Sequence, residues 1–319
     1  MRIHVLALDD VFDTGLATVV DTLNIANMLA ESAGTPAVHF EITVAGVRRR
    51  VHTSQGLSVP VVSAAQLPCP DIVLIPALGA KLPATLQAAL ERRDVVDAGE
   101  VLRQWAGDGA LVGAACTGTF VLADTSLLDG QSATTSWWLA PLFRERYRSI
   151  LLEESRMVVG SSRFVTAGAA LAHIDLALWL VKRSSPTLAG LTARYLLIDP
   201  RPSQGIFIIP EHLIHTDPLV ERFEQWARLH LSEGFSLEAA ARATGTSART
   251  LARRLKIVLG KTPLSYFQDL RVERAVHLLR TSGDSIDLIA SQVGYESGVT
   301  LRMLLRRRIG RSVSELRNR

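Results

Sequence analysis

The first two hundred positions alternate between short apolar runs and longer stretches of helical period. "IHVLAL" (Ile3–Leu8), "FEITVAGV" (Phe40–Val47), "DIVLIPA" (Asp71–Ala77) and "ALVGAAC" (Ala110–Cys116) read as strands. Most of these runs are apolar throughout, as in strands covered on both faces. Between them, "GLATVVDTLNIANMLA" (Gly15–Ala30) repeats its apolar positions at helical spacing, and "VDAGEVLRQWAGDG" (Val96–Gly109) reads as a helix closed by glycine. "SRFVTAGAALAHIDLALWLVKR" (Ser162–Arg183) reads as a strand, a glycine turn and a long helix. This alternation predicts an α/β domain with a mainly parallel sheet, a flavodoxin-like sandwich. Leu171–Val181 is apolar but short and contains Asp175, which predicts a buried core helix and not a membrane span.

Beyond Tyr195 the pattern breaks. Pro200, Pro202, Pro210 and Pro218 disfavour continuous helix and mark a connector over 199–218. Its "IFIIP" (Ile206–Pro210) is apolar enough to pack on a domain. After Pro218 the pattern is all-helical and repeats itself. "SLEAAARATG" (Ser236–Gly245) aligns with "SIDLIASQVG" (Ser285–Gly294) at an offset of 49, and "TLARRLKIVLGKT" (Thr250–Thr262) with "TLRMLLRRRIGRS" (Thr300–Ser312) at an offset of 50. Each copy has a serine N-cap (Ser236, Ser285), an acid in the first turn (Glu238, Asp287), a glycine for the reversal (Gly245, Gly294) and a second helix rich in arginine.

Charge separates the two parts. Residues 219–319 hold 18 Lys/Arg and 10 Asp/Glu, a net of +8, while the remainder holds 17 and 21, a net of −4. A basic segment with two helix-turn-helix patterns predicts double-stranded DNA as its partner. Residues early in each second helix face base edges in that geometry. In the first copy these are Ser247, Ala248, Arg249, Thr250 and Arg253; in the second, Ser297, Gly298, Val299 and Arg302. Arg254, Lys256, Arg306, Arg307 and Arg308 lie further along, where phosphates are expected.

Residues 219–319 resemble the AraC/XylS family of bacterial transcription regulators, whose two helix-turn-helix units are joined by a long helix. "GKTPLSYFQDLRVERAVHLL" is similar to that joining segment, and "SIDLIASQVGYES" to the start of the second unit. The family usually places an aromatic residue after the "GYES" region, where this chain reads "GVTLRMLL". The resemblance therefore implies a second unit that packs or reads DNA less typically.

The chain has two cysteines, Cys69 and Cys116, too few and too far apart for a disulfide framework. Cys116 lies in "GAACTGTF", where an apolar strand runs into small residues and then a helix. That is the arrangement of a nucleophile elbow, and it predicts an exposed, somewhat acidic thiol at a helix N-terminus. Nucleophilic catalysis also needs a base or orienting partner within reach. Together with "FVTAGAALAHIDLALWLV", the stretch resembles the ThiJ/PfpI superfamily, related to the glutamine amidotransferases. The resemblance runs from Met1 to about Ile198. It implies a histidine at the position of Ser136 and an acid at about Gly15 in enzymatic members, with Asp13 nearby. Both usual partners of the cysteine are thus absent, and His173 belongs to a core helix.

These readings predict a ligand-sensing, dimerising α/β domain over 1–198 and an AraC-type DNA-binding domain over 219–319. The function they imply is sequence-specific transcriptional regulation without catalysis, controlled by a small-molecule effector or by homodimerisation. Asp9, Asp13, Cys116, Thr117 and Ser136 are the expected pocket residues, at the carboxyl ends of parallel strands. Trp137 and Trp138 are expected to pack, the alternative being that they close the pocket. No cofactor and no metal is assigned. An early break of the N-terminal apolar run by Asp9 and Asp10 argues against a signal peptide, so the cytoplasm is the expected compartment. The alternatives are a Cys116 hydrolase or amidase, and a Cys116 redox sensor.

Overall fold

The computed structural model describes residues 1–32, 38–199, 201, 203–309 and 312–317. Pro200 and Pro202 of the expected connector, and Gly310 and Arg311 beyond the last arginine run, lie outside the described residues. The chain divides into two compact units. One holds Met1–Leu139 and Arg146–Gln204, the other Ala140–Glu145 and Gly205–Arg319.

In the first unit, β1 (Arg2–Leu6), β2 (Glu41–Gly46), β3 (Val62–Ser63), β4 (Ile72–Ile75), β5 (Leu111–Ala115), β6 (Val158–Gly160) and β7 (Phe164–Ala167) form one sheet, in the order β6-β7-β5-β4-β1-β2-β3. Every neighbouring pair is parallel except β6 with β7. The helices of this unit are α1 (Asp13–Ser32), α2 (Pro83–Leu90), α3 (Arg93–Gly107), α4 (Gly118–Ala123), α6 (Ala172–Ser184) and α7 (Pro186–Tyr195), while α5 (Ala140–Arg146) falls, up to Glu145, in the second unit. The period of two along β1 sends its side chains to two different layers. Ile3 and Val5 join Leu16, Val19 and Leu23 of α1 and Leu176 and Leu180 of α6 in one core. His4 turns the other way and meets Trp105 of α3, ring centroids 5.2 Å apart. Covered on both faces, β4 and β5 are buried at every residue, which explains why they read as unbroken apolar runs. The chain leaves β1 toward β2 on one side and later continues from β4 toward β5 on the other. The loops after β1 and β4 thus flank the point where strand order reverses, the usual crevice of such sheets.

The second unit is helical: α8 (Pro218–Leu229), α9 (Leu237–Ala243), α10 (Ala248–Leu259), α11 (Pro263–Thr281), α12 (Ile286–Gln292), α13 (Gly298–Ile309) and α14 (Val313–Arg317). Its helices α8 to α12 are capped by side chains, the expected Ser236 and Ser285 among them. Asp217 accepts from Leu219 and Val220 with Pro218 in the first turn, Ser236 from Ala239, Ser247 from Thr250, Thr262 from Ser265 and Ser285 from Leu288. The expected connector divides between Gln204 and Gly205. Gln204 is buried in the first unit, where its amide nitrogen donates to the carbonyls of Thr135 (2.8 Å) and Glu154 (2.9 Å). Pro210 is held in the second, its carbonyl accepting from Tyr266 Oη at 3.2 Å. Among the described residues, no helix is long and apolar enough to cross a membrane.

Candidate nucleic-acid interface and cysteine elbow

Each repeat of the second unit folds into a capped helix, a glycine turn and a second helix. Gly245 and Gly294 hold φ of +71° and +79°, a left-handed conformation that favours glycine at both reversals. The second helices, α10 and α13, bury the same stripe: Leu251, Leu255 and Leu259 in one, Leu301 and Leu305 in the other. Their opposite faces are exposed. Arg249, Arg253, Arg254 and Lys256 line that of α10, and Val299, Arg302, Arg306 and Arg307 that of α13. Ala248 and Thr250 are half-buried, Ser247 caps α10, and the Ser297 hydroxyl lies 3.4 Å from the Thr300 amide as its acceptor.

Two of the expected DNA-facing residues are engaged elsewhere, and one is covered. Gly298 is buried; its amide donates to Asp287 Oδ1 at 2.8 Å, and a β-carbon there would come within 2.7 Å of the same oxygen. It serves the close crossing of α12 and α13, because the second helix needs a residue without a side chain at that contact. Arg254 is ion-paired with the buried Asp217. Burial pushes the Asp217 carboxyl up, but backbone donors and Arg254 outweigh it and hold it below the usual carboxylate range. Arg308 reaches back to α11, donating to Asp269 Oδ1 (2.7 Å) and Gln268 Oε1 (2.9 Å).

A residue the sequence reading missed ties the segment after α8 to the second repeat. Arg271 of α11 is 7% exposed and donates to the carbonyls of Leu231 (2.9 Å) and Glu233, just after α8. Its guanidinium lies 4.7 Å from the Phe267 ring centre and 5.0 Å from that of Tyr295, which follows the second glycine turn. The signal was available: Arg271 falls on the buried stripe of α11, four residues from Phe267 and from Ala275. A charge on a core stripe implies specific partners.

The elbow is present in the first unit. Cys116 holds φ +57°, uncommon for a residue with a side chain, and its amide donates to Ala167 O at 3.0 Å. The expectation of an accessible, acidic thiol is overturned. Cys116 is 5% exposed, and burial pushes its thiol up, outweighing the Ser136 hydroxyl, the Thr117 amide and Lys81, which pull it down. The six-residue α4 that follows offers too little dipole to reverse this. Sγ lies 2.8 Å from Ser136 Oγ, in the position where the superfamily resemblance calls for a histidine. Ser136 and Thr117 are themselves buried, and Thr117 Oγ1 exchanges two hydrogen bonds with the Leu78 backbone.

The remaining expected pocket residues belong to a neighbouring cluster. Asp9 Oδ1 accepts from the His52 amide at 2.9 Å, and Asp13 Oδ2 from Ser54 Oγ at 2.8 Å. Burial raises the Asp13 carboxyl, but hydrogen bonds from the 53–55 turn overcome it and hold it low. Gly15 leaves room for a ring and not for an acid: a β-carbon there would lie 2.6 Å from His173 Nε2. His173 is fully buried, accepts from Ala77 N at 3.0 Å and meets Ala170 O through Nδ1 at 2.5 Å; burial lowers its pKa to about 4. It is a neutral strut between α6 and the loop after β4. Trp137 and Trp138 are half-buried and pack edge to face, centroids 5.4 Å apart.

A model of the DJ-1/PfpI family matches residues 1–183, more than half the sequence. The chain belongs to the DJ-1/PfpI family. A helix-turn-helix domain model matches residues 240–319, so this DJ-1/PfpI chain carries an AraC-type helix-turn-helix domain after its α/β domain. The HTH-type transcriptional regulator GbdR of Pseudomonas aeruginosa is 26% identical over 298 residues, covering 92% of this chain and 77% of that protein. The HTH-type transcriptional activator RhaS of Escherichia fergusonii is 39% identical over 103 residues, 32% of this chain and 37% of that one. In fold, the chain is similar to an AraC family transcriptional regulator from Pseudomonas putida, with a TM-score of 0.51 at 20% identity, covering 61% of this chain and 98% of that structure. Within the DJ-1/PfpI fold, then, this chain keeps the elbow with its thiol buried beside the Ser136 hydroxyl.

Proposed function

We propose that this chain is a DNA-binding transcriptional regulator that reads sequence with α10 and α13 and uses its DJ-1/PfpI domain for control and not for catalysis. The observation that carries the first part is the repeated unit itself: two capped helices, each turning at a left-handed glycine, and each presenting arginines on the face opposite its leucine stripe. Base contact is assigned to Arg249, Arg253, Val299 and Arg302, and phosphate contact to Arg254, Lys256, Arg306 and Arg307, with Arg254 first leaving Asp217. The regulators of Pseudomonas aeruginosa and Pseudomonas putida that it is similar to support this role.

The second part is supported by the elbow. A nucleophilic cysteine needs a base, and the nearest hydroxyl, Ser136, is a poor one. An effector is proposed to bind above the closed elbow, at the switch point lined by Asp9 and Asp13. Control further calls for two states that an effector distinguishes, and a homodimer supplies them. The dimer contact is assigned to a groove of about 400 Å³ on the first unit, lined by Asp21, Ile25 and Met28 of α1, Ile174 of α6, and Leu196 and Ile198. Met28 of α1, Leu171 at the start of α6, Leu191 of α7 and Leu197 just after it are exposed apolar residues. A second copy is the occupant, because doubling the reading units doubles the DNA contacts.

Cys116→Ser tests the non-catalytic reading. The variant is expected to bind DNA as the parent does, and neither protein to turn over ester, amide or aldehyde substrates. Turnover by the parent that the variant loses would make this an enzyme. Sedimentation of the full chain at micromolar concentration tests the dimer: a dimer is expected, and Met28→Asp should give monomers.

A further inference from the structure

The two reading helices are internal copies, so equivalent positions are compared within one chain. At the offset of 50, Arg249 and Arg253 of α10 align with Val299 and Met303 of α13. Both pairs are four residues apart and share one helix face. All four are exposed, Val299 at 59% and Met303 at 65%. The leucines at aligned positions are buried in both copies, so the folded core of the unit does not account for Val299 and Met303. Around them α13 exposes Arg302, Arg306 and Arg307. A face that is apolar at its centre and cationic along its length matches a surface that is apolar at its centre and anionic at its edges. The major groove at a thymine is such a surface: the 5-methyl group projects into the groove between two rails of phosphate. Arginine at the same positions matches a different edge, the O6 and N7 acceptors of guanine.

We propose that the two units read different base chemistry. The α10 unit selects guanine through Arg249 and Arg253, and the α13 unit selects thymine through contact of Val299 and Met303 with its methyl group. The operator bound by one chain is therefore asymmetric, a guanine-bearing segment followed about one helical turn away by a thymine-bearing one. This rests on the DNA-binding reading above and specifies what each unit recognises.

The test starts with selection of duplexes from a random pool by the full-length protein. In the selected duplex each thymine is replaced in turn by uracil, which removes the methyl group and leaves every hydrogen-bonding group in place. Each guanine is likewise replaced by 7-deazaguanine, which removes the N7 acceptor. Uracil is expected to weaken binding about four-fold at one or two positions of one segment only. Val299→Ala and Met303→Ala should abolish that sensitivity. 7-Deazaguanine is expected to weaken binding about five-fold or more in the other segment, and Arg253→Ala should abolish that. These positions are exposed, and a thermal melt matching the parent's confirms that each variant folds. The proposal is overturned if no uracil substitution matters, or if both apolar variants keep the parent's uracil penalty; Val299 and Met303 then face some other partner. A selection that enriches no duplex removes the DNA-binding reading, and this proposal with it.

Discussion

Replacing Arg271 with alanine should cost the helical domain about 3 kcal/mol. The side chain gives two charge-assisted hydrogen bonds to backbone carbonyls, those of Leu231 and Glu233, and it is almost wholly out of water. Such bonds contribute about 1.5–3 kcal/mol each, and the two carbonyls would be left without that donor. Two ring contacts, with Phe267 and Tyr295, add about 0.5–2 kcal/mol each. Against this stands the desolvation of the guanidinium itself, which the substitution relieves and which offsets part of the sum. Arg271→Lys should recover under half of the loss, since an ammonium reaches one carbonyl and cannot stack between two rings. The same guanidinium occupies the space a β-carbon on Gly294 would need, so loosening it also frees the turn that positions α13. Hydrogen exchange on the full chain, read separately for segments in 218–309, measures the change. Protection within 1 kcal/mol of the parent's in that region would refute the clamp.

Three further outcomes follow from the first domain. His173 is neutral in the folded state with a pKa of about 4, against an ordinary 6.5, so the unfolded chain takes up a proton that the folded chain refuses as pH falls between those values. Stability of that domain should be unaffected above pH 7 and fall by up to about 3 kcal/mol by pH 4; denaturant titrations of His173→Gln should show a flatter dependence, and an unchanged slope would contradict this. Cys116 should react with iodoacetamide at pH 7 at least about a hundredfold more slowly than an exposed thiol, with the rate rising as pH climbs past 9, and peptide mapping that found it labelled at the free rate would overturn the closed elbow. Gly15→Ala should destabilise the domain by about 1–3 kcal/mol in a denaturant melt, because its β-carbon meets the His173 ring; a neutral result would mean that the ring moves freely.

The architecture was legible because burial writes itself into periodicity. β4 and β5 read as apolar runs since both faces are covered, and α1 and α6 show one buried stripe each. The helix-turn-helix units were legible because capping serines and left-handed glycines carry local signals that repeat. What stayed hidden depends on contacts between segments far apart in sequence. The order of small residues at Cys116 specifies an elbow, but its burial is set by Ser136 and Thr117 and by the loop after β4. The fate of Arg254 depends on Asp217, 37 residues away, and that of Arg271 on Leu231, 40 away. Gly298 looked like a base-facing residue by its place early in α13, and only the crossing with α12 shows it covered.

The most direct measurement of the central claim is binding of the purified full-length protein to sheared genomic DNA, with the retained fragments sequenced at low and at high salt. Phosphate contacts weaken steeply with salt, whereas base contacts do not. A regulator that reads sequence with α10 and α13 should retain a few discrete fragments at the higher salt. Uniform loss of all fragments, with and without candidate effectors, would contradict it.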